Sequence, residues 1–472
     1  MRKNVKKQLA LRVLSTAALV AMVSSIATAA FADTYDLNTG SVTVETKANG
    51  ITYVTQKDDK QVDGFARNKN NEVLNEHPDD TGVTITSDGK QTSNTITVET
   101  AKDQTTDVTL ENVHIEVNTT DAKSGAIEIK GDGDTNLELN GDNTVLVKNR
   151  WSDEHAAIEK ADAYGKGTLT IKDDVNDNGS KKTGKKTGTD ADTTGKLLAG
   201  GYHNSAAIGG GSDTYNREYS LADTSNITIT GGDITAIAGN DGAAAIGGGC
   251  SGTGKNIRIE GNADVKAASQ GGAAIGGGTG SGNSVTITDD AVVDAYSAFA
   301  AAIGNGDQVG RPNDPTTITI SGNATVHAET SQRDCAIGTS GDGSLSDLTI
   351  NIEENANVTA ISSHDVPAIG NAACHDDTTT TINITGGTVN AINSYGSDNP
   401  SYPNDGTGNT SPAIGTTIDS DCGGTCNVNI NSSTGDTVVN AYIYGKGSGT
   451  AIGSTIETTS YNPYKVEYQY VP

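Results

Sequence analysis

The amino-acid sequence predicts an all-β protein, a right-handed single-stranded parallel β-helix with about three short strands per coil. The main observation is an Ala-Ile motif, mostly followed by Gly, that returns every 28 to 50 residues. Periods in this range are typical of solenoids and propellers. The isoleucines that mark the repeats are Ile127, Ile158, Ile208, Ile246, Ile275, Ile303, Ile337, Ile369, Ile414 and Ile452.

Most repeats contain two further strand patterns. In one, β-branched residues alternate with polar residues, as in Ile227-Thr228-Ile229, which indicates a half-buried strand. After a turn, often Gly-rich, an apolar residue stands two positions before Ala, as in Val265 and Ala267. Repeats of 28 and 29 residues are too short for the four antiparallel strands of a propeller blade. Connections between parallel strands of the same sheet are almost always right-handed, which predicts a right-handed coil.

The composition fits a thin core shared by stacked repeats, because only 34% of the residues are hydrophobic and 58 are Gly. We predict a signal peptide over residues 1–32, which are basic at first, then apolar, and end in Ala30-Phe31-Ala32. Four further segments are expected: an N-terminal cap with irregular first coils at 33–105, the regular β-helix at 106–455, a long loop insertion within it at 173–198, and a C-terminal cap or tail at 456–472.

The predicted signal peptide makes the protein extracellular, either secreted or associated with the cell surface, with no membrane insertion after cleavage. Removing residues 1–32 leaves 27 basic residues against 59 acidic residues. So acidic a surface repels nucleic acid, which we exclude as a partner.

Two repeat units carry a resemblance to a known group of proteins. The segments ITITGG at 227–232 and AAAIGGG at 243–249 resemble repeats of surface proteins from Gram-positive bacteria. The coil pattern is similar to that of the pectate-lyase-like β-helix superfamily. The resemblance covers about residues 108–452 and implies a carbohydrate-binding or adhesin-like protein. The sequence shows no C-terminal sorting motif, so cell-wall attachment is not expected from it.

Candidate catalytic residues lie in one column of the third strand. Lys266, Asp294 and His327 occupy the same outward slot on three consecutive coils, so their spacing should be about 5 Å. They could act in a calcium-dependent polysaccharide lyase or a glycoside hydrolase. The simpler interpretation is a solvated outer face, because other coils hold residues such as Thr235 and Thr359 in this slot.

Other candidates concern ligand and metal binding. Aromatic residues that could contact a sugar stand six to eight residues before a marker isoleucine: Trp151, Tyr202, Tyr296 and Tyr444. Asp132 and Asp134 could contribute calcium ligands from a turn, although stabilisation of the turn itself is the favoured explanation. No cofactor is expected, with calcium as the alternative. Cys422 and Cys426 could close a small disulfide loop.

The marker strand has an unusual predicted outer face. Strand alternation places Ile208 inward, so that Ala207 and Gly209 point outward and leave that face nearly free of side chains. Such a face either admits a regular partner such as a polysaccharide or is covered by the protein's own insertions.

These observations favour a non-catalytic, adhesin-like surface that binds a polysaccharide or cell-surface glycan. A polysaccharide lyase or hydrolase is the first alternative, and a passive structural stalk is the second.

The enzymatic alternative makes a direct prediction. If the column acts in catalysis, Asp294→Ala should lower activity on a polysaccharide panel by at least about 100-fold, because general acid–base groups contribute that much. Thr359→Ala, in the same slot, is the control. Activity measured with and without calcium that Asp294→Ala leaves unaltered removes this column as an active site.

Overall fold

The computed structural model describes residues 33–56, 73–77, 82–118, 124–148, 155–173, 194–212, 221–239, 241–280, 283–306, 314–332, 334–340, 346–363, 365–372, 378–394, 411–417, 424–431, 437–444, 450–453 and 466–471. Residues 1–32 lie outside these ranges. Within them, no helix is long and apolar enough to cross a membrane.

Three long sheets contain the strands, which we number in chain order. Sheet A has twelve strands: β1 (Asp33–Asp36), β5 (Val83–Thr86), β8 (Thr105–Glu111), β11 (Asp134–Asn140), β14 (Leu169–Lys172), β17 (Thr224–Ile229), β20 (Gly254–Ile259), β23 (Ser284–Ile287), β26 (Thr316–Ile320), β29 (Leu348–Ile352), β32 (Thr379–Ile384) and β35 (Thr425–Ile430).

Sheet B has fourteen strands: β4 (Val73–His77), β3 (Thr52–Gln56), β2 (Val42–Thr46), β7 (Ile96–Thr100), β10 (Ile127–Lys130), β13 (Ile158–Glu159), β16 (Ile208–Gly209), β19 (Ile246–Gly247), β22 (Ile275–Gly276), β25 (Ile303–Gly304), β28 (Ile337–Gly338), β31 (Ile369–Asn371), β34 (Ile414–Thr416) and β37 (Ile452–Gly453).

Sheet C has twelve strands: β6 (Gln91–Thr92), β9 (His114–Asn118), β12 (Asp142–Lys148), β15 (Lys196–Gly200), β18 (Asp233–Ile237), β21 (Asp264–Ser269), β24 (Val292–Ser297), β27 (Thr325–Thr330), β30 (Asn357–Ser362), β33 (Thr388–Asn393), β36 (Val438–Tyr444) and β38 (Val466–Val471). A 3₁₀ helix spans Asp162–Tyr164.

The order of the strands makes the protein a parallel β-helix. From β7 to β37 the chain passes repeatedly through sheets A, C and B, and each strand pairs in parallel with its equivalent one coil away. The predicted fold, with three short strands per coil, is confirmed. At the N-terminal end of sheet B, β2, β3 and β4 pair antiparallel instead.

The marker isoleucines form a continuous ladder inside the coil. Ile127 aligns with Ile158, Ile158 with Ile208, and the register continues to Ile452. Ile96 extends the ladder by one further coil. The inward residues of sheets A and C complete one core, and nearly all of them are fully buried. Burial of such a side chain contributes about 1.5 to 3 kcal/mol.

The marker strand is not the open face that simple alternation predicts. Ala207, Ile208 and Gly209 are all buried, and Ala207 packs in the core rather than pointing outward. The chain turns sharply here, since the backbone N–H of Ala206 donates to the carbonyl of Gly210 at 3.0 Å. A side chain on Gly210 would meet the backbone of Ala222, in the connection to sheet A. The protein's own chain therefore covers this face.

Glycine follows eight of the ten marker isoleucines, and it is required there for two reasons. Its φ lies between 112° and 142°, which side-chain-bearing residues rarely adopt. In seven of the eight cases a Cβ would also overlap the carbonyl oxygen of the equivalent glycine one coil away. The eight glycines are Gly209, Gly247, Gly276, Gly304, Gly338, Gly370, Gly415 and Gly453.

The predicted insertion at 173–198 is described only at its two ends. Asp173 is buried, and β15 begins at Lys196, so the last residues of the predicted insertion belong to sheet C. Residues 174–193 lie outside the described ranges.

A pair of glycine substitutions should separate the two requirements. Gly89→Ala has a positive φ of 69° but open space around the new Cβ, so it should cost about 1 to 2 kcal/mol. Gly276 has a φ of 135°, and a Cβ there would overlap the carbonyl oxygen of Gly304. Gly276→Ala should therefore lower the free energy of unfolding by clearly more than Gly89→Ala does. Denaturant unfolding monitored by circular dichroism measures both. If the two variants lose the same free energy of unfolding, close contact between coils adds nothing to the requirement for glycine.

Candidate functional site

The predicted column on sheet C is present, and its members lie side by side. Lys266 aligns with Asp294, and Asp294 with His327. Their closest charge partners are different residues: Lys266 Nζ lies 4.0 Å from Asp233 Oδ1, and His327 Nε2 lies 3.6 Å from Glu329 Oε2. These side chains are exposed, and exposed ion pairs contribute little to stability. The arrangement is thus a charged strip open to solvent.

Next to this column runs a second outward column that is largely apolar. It is read along sheet C from one coil to the next: Leu146, Gly200, Ile237, Ala268, Tyr296, Glu329, Ile361, Ile392 and Tyr442. Ile237 is 47% exposed and Tyr296 is 40% exposed. Both values are high for side chains of this size, and they place apolar surface in water.

Exposed large hydrophobic side chains are concentrated on this side of the molecule. The five found among the described residues are Leu198, Ile237, Val292, Tyr296 and Phe299. Four lie on strands of sheet C, and Phe299 lies two residues after the end of β24. We call Leu198, Ile237, Tyr296 and Phe299, together with Lys266, Asp294 and His327, the sheet C face. Several exposed apolar side chains on one side of a protein make that side a candidate binding surface.

The predicted aromatic residues lie close to the ends of sheet C strands but not on adjacent coils. Tyr202 follows β15, Tyr296 lies in β24 and Tyr444 ends β36. Three and four coils separate them, or about 14 and 19 Å at about 4.8 Å per coil. Tyr202 packs edge-on against His203, with ring centroids 4.4 Å apart. Trp151 lies outside the described residues. The three tyrosines therefore do not form one continuous stacking platform.

Asp132 and Asp134 support the turn of the next coil. Asp132 Oδ1 accepts a hydrogen bond from the backbone N–H of Lys166 at 3.0 Å, and Asp134 Oδ1 accepts one from Thr168 at 2.9 Å. These contacts match the turn-stabilising explanation of the two carboxylates.

Cys426 carries a free thiol, and burial raises its pKa. Its proposed disulfide partner, Cys422, lies outside the described residues.

A buried polar cluster is the feature that sequence reasoning missed. In the first two coils that carry the marker, the residue after the isoleucine is Glu128 or Glu159 instead of Gly. Glu128 aligns with Glu159, and Glu159 aligns with Gly209. The two carboxylates therefore come from neighbouring strands of sheet B. Glu128 is 4% exposed and Glu159 is fully buried.

Several groups contact this cluster, including Tyr164 and the backbone of Ala156, both of which form hydrogen bonds with Glu159, but one carboxylate oxygen has no partner. His155 Nδ1 lies 2.7 Å from Glu159 Oε2, and Lys130 Nζ lies 2.8 Å from Glu128 Oε2. Glu159 Oε1 is buried with no hydrogen-bond partner. Lys130 also lies 4.9 Å from the centre of the Tyr164 ring. A lone buried carboxylate oxygen is costly, and it calls for an explanation.

Burial sets the protonation behaviour of the cluster. It raises the pKa of Glu159, an effect that the hydrogen bond from His155 partly offsets. Burial, together with the nearby carboxylates of Glu159 and Glu128, raises the pKa of Tyr164. Lys160 is almost fully buried and donates to the carbonyl of Gly165 at 3.1 Å, and burial lowers its pKa. Each of these groups is shifted toward its neutral form.

The sequence contains a signal that could have located this cluster. Only the repeats at Ile127 and Ile158 replace the marker Gly by Glu, and these repeats are consecutive. Their departure from the motif could have been noticed, but the contribution of His155 depends on how the connection before β13 folds.

No protein-family profile, curated protein or solved structure matches the chain. The candidate sites therefore rest on the geometry of this protein alone.

Glu159→Gln should alter stability in a pH-dependent way. The folded-state pKa of Glu159 is raised, so ionisation of the wild-type residue destabilises the fold as the pH rises through that pKa. In chelator-treated protein, the substitution should raise the free energy of unfolding near neutrality. The gain should shrink at a pH below the unfolded-state pKa of about 4.3, where Glu159 is protonated in both states.

Thermal melting at the two pH values measures this gain. Glu99→Gln is the control, because Glu99 lies on β7, one coil from β10, and is exposed. If Glu159→Gln stabilises the protein equally at both pH values, or if Glu99→Gln gives the same gain in stability, Glu159 does not have a raised pKa in the folded state.

Proposed function

We propose that this is an exported, non-catalytic, adhesin-like protein that binds a polysaccharide or cell-surface glycan along the sheet C face. The observation that carries the proposal is that Leu198, Ile237, Tyr296 and Phe299 are exposed on or next to the sheet that carries the charged column of Lys266, Asp294 and His327. Sugars present both C–H faces and hydroxyl groups. Apolar and aromatic side chains next to hydrogen-bonding groups complement them.

The spacing of the coils supports an extended ligand. Equivalent side chains recur about every 4.8 Å along the stack, which is comparable to the length of one sugar unit in an extended chain. A glycan that runs across the strands would therefore meet one residue of each column at each step. The polar column would supply hydrogen bonds, and the apolar column would pack against the sugar rings.

Charge narrows the class of glycan. Without residues 1–32 the chain has 27 basic residues against 59 acidic residues, so a neutral or cationic polymer is favoured over an acidic one such as pectate. The resemblance of the repeats to surface proteins of Gram-positive bacteria, and the signal-peptide pattern of residues 1–32, support an extracellular location.

Tyr296→Ala should weaken glycan binding. Loss of one central aromatic contact of about 1.4 kcal/mol corresponds to a tenfold increase in Kd. A glycan array with the chain lacking residues 1–32 identifies the ligand, and isothermal titration calorimetry then compares the variants. Tyr53→Ala is the matched control, because Tyr53 lies on β3 in the antiparallel end of sheet B and is partly exposed.

Two results would overturn this proposal. One is the absence of binding to every glycan and cell-wall polymer tested. The other is a binding affinity that Tyr296→Ala leaves unchanged or that Tyr53→Ala lowers equally.

A further inference from the structure

The buried cluster on sheet B has the composition and geometry of a metal site. Glu128, His155 and Glu159 each offer one ligand atom, and these three atoms lie within 4.8 Å of one another. They come from three places in two consecutive coils: strand β10, the connection before β13, and β13 itself. The fold thus brings together groups up to 31 residues apart in sequence.

Glu159 provides the observation that goes beyond the presence of acidic residues. Its side chain is fully buried, and its Oε1 atom has no hydrogen-bond partner, while Oε2 faces His155. An ion pair between Glu159 and a protonated His155 accounts for one oxygen only. A cation in the cluster would satisfy the other.

Space for the carboxylate is provided by the neighbouring coil. A Cβ on Gly125 would lie 2.7 Å from the carbonyl oxygen of Ala156, 3.1 Å from Glu159 Cβ and 3.2 Å from Glu159 Oε2, so a side chain there would crowd both the backbone and the carboxylate. Gly125 has no positive φ that would require glycine. Its small size is therefore explained by packing against Glu159 and the adjacent backbone.

Charge also favours a bound cation. Two carboxylates on adjacent buried strands repel each other, and burial makes each charge costly. Lys130 balances the charge of Glu128, and the Lys130 side chain is 31% exposed at the edge of the cluster. His155, at 12% side-chain exposure, is neutral when it binds a metal and then balances no charge. A divalent ion would compensate the charge that remains.

We propose that Glu128, His155 and Glu159 bind one divalent first-row transition-metal ion, with Zn²⁺ as the best match. One imidazole nitrogen and two carboxylate oxygens form a three-ligand set that leaves a further position for water, as in open zinc sites. Imidazole favours Zn²⁺ and related ions over Ca²⁺ and Mg²⁺. Ca²⁺ takes six to eight oxygen ligands, which this cluster does not supply from the three side chains.

Calorimetric titration of the chelator-treated chain lacking residues 1–32 tests the proposal. Zn²⁺ should bind with a stoichiometry of one at this site, and Mg²⁺ should bind at least about tenfold more weakly. Glu159→Gln and His155→Asn should each raise the Kd for Zn²⁺ at least tenfold. Glu99→Gln, which removes an exposed charge on the same sheet, should leave the Kd unchanged.

Two further measurements distinguish other binding sites. The double variant Asp132→Asn, Asp134→Asn tests the turn carboxylates, and the proposal requires that it bind Zn²⁺ as the wild type does. Substitution of Co²⁺ for Zn²⁺ should give visible d–d absorption without a thiolate charge-transfer band, since no cysteine is a proposed ligand. Circular dichroism of each variant establishes that it is folded.

The proposal fails if Zn²⁺ does not bind, if the Asp132/Asp134 variant loses binding while Glu159→Gln retains it, or if the Co²⁺ spectrum shows thiolate ligation. Because the site lies on sheet B, these results are independent of glycan binding on sheet C.

Discussion

Successive coils approach one another through the backbone of the marker strand, at a distance that excludes side chains. From Gly247 to Gly453, the carbonyl oxygen of each marker glycine occupies the space where a Cβ of the glycine in the preceding coil would lie. Beside it, the isoleucine ladder fills the interior. These two features fix the height of each coil and the register of sheet B. Sheets A and C then stack in register, although the connections differ greatly in length.

The buried cluster occurs where this constraint is relaxed. At Glu128 and Glu159 the backbone has no positive φ, and the isoleucines before them keep the ladder intact. The fold therefore tolerates side chains in these coils without losing register. What replaces glycine is not another small residue but a carboxylate with an unsatisfied oxygen, which lowers stability. A cost of this kind is characteristic of functional sites.

The sequence was sufficient for the core but not for the surroundings of the marker strand. The burial of Ile208 and its equivalents could be predicted because alternating apolar residues and a repeated motif indicate which side chains point into the core. Ile96 was missed because Thr95 and Thr97 flank it in place of the Ala-Ile-Gly motif. The outward assignment of Ala207 failed because the positive φ of Gly209 breaks strand alternation. The adjacency of Lys266 and Asp294 followed from the repeat, whereas their charge partners depend on side-chain conformation.

The isoleucine ladder has a consequence for how such a protein can change its dimensions. Since register does not depend on connection length, gain or loss of one complete coil leaves the cross-section unaltered and changes the reach by a single step of about 4.8 Å. Length is thus a quantised property, adjustable by duplication of a repeat of 28 residues or more. A protein built in this way can match the distance between two surfaces in increments, without redesign of its interior.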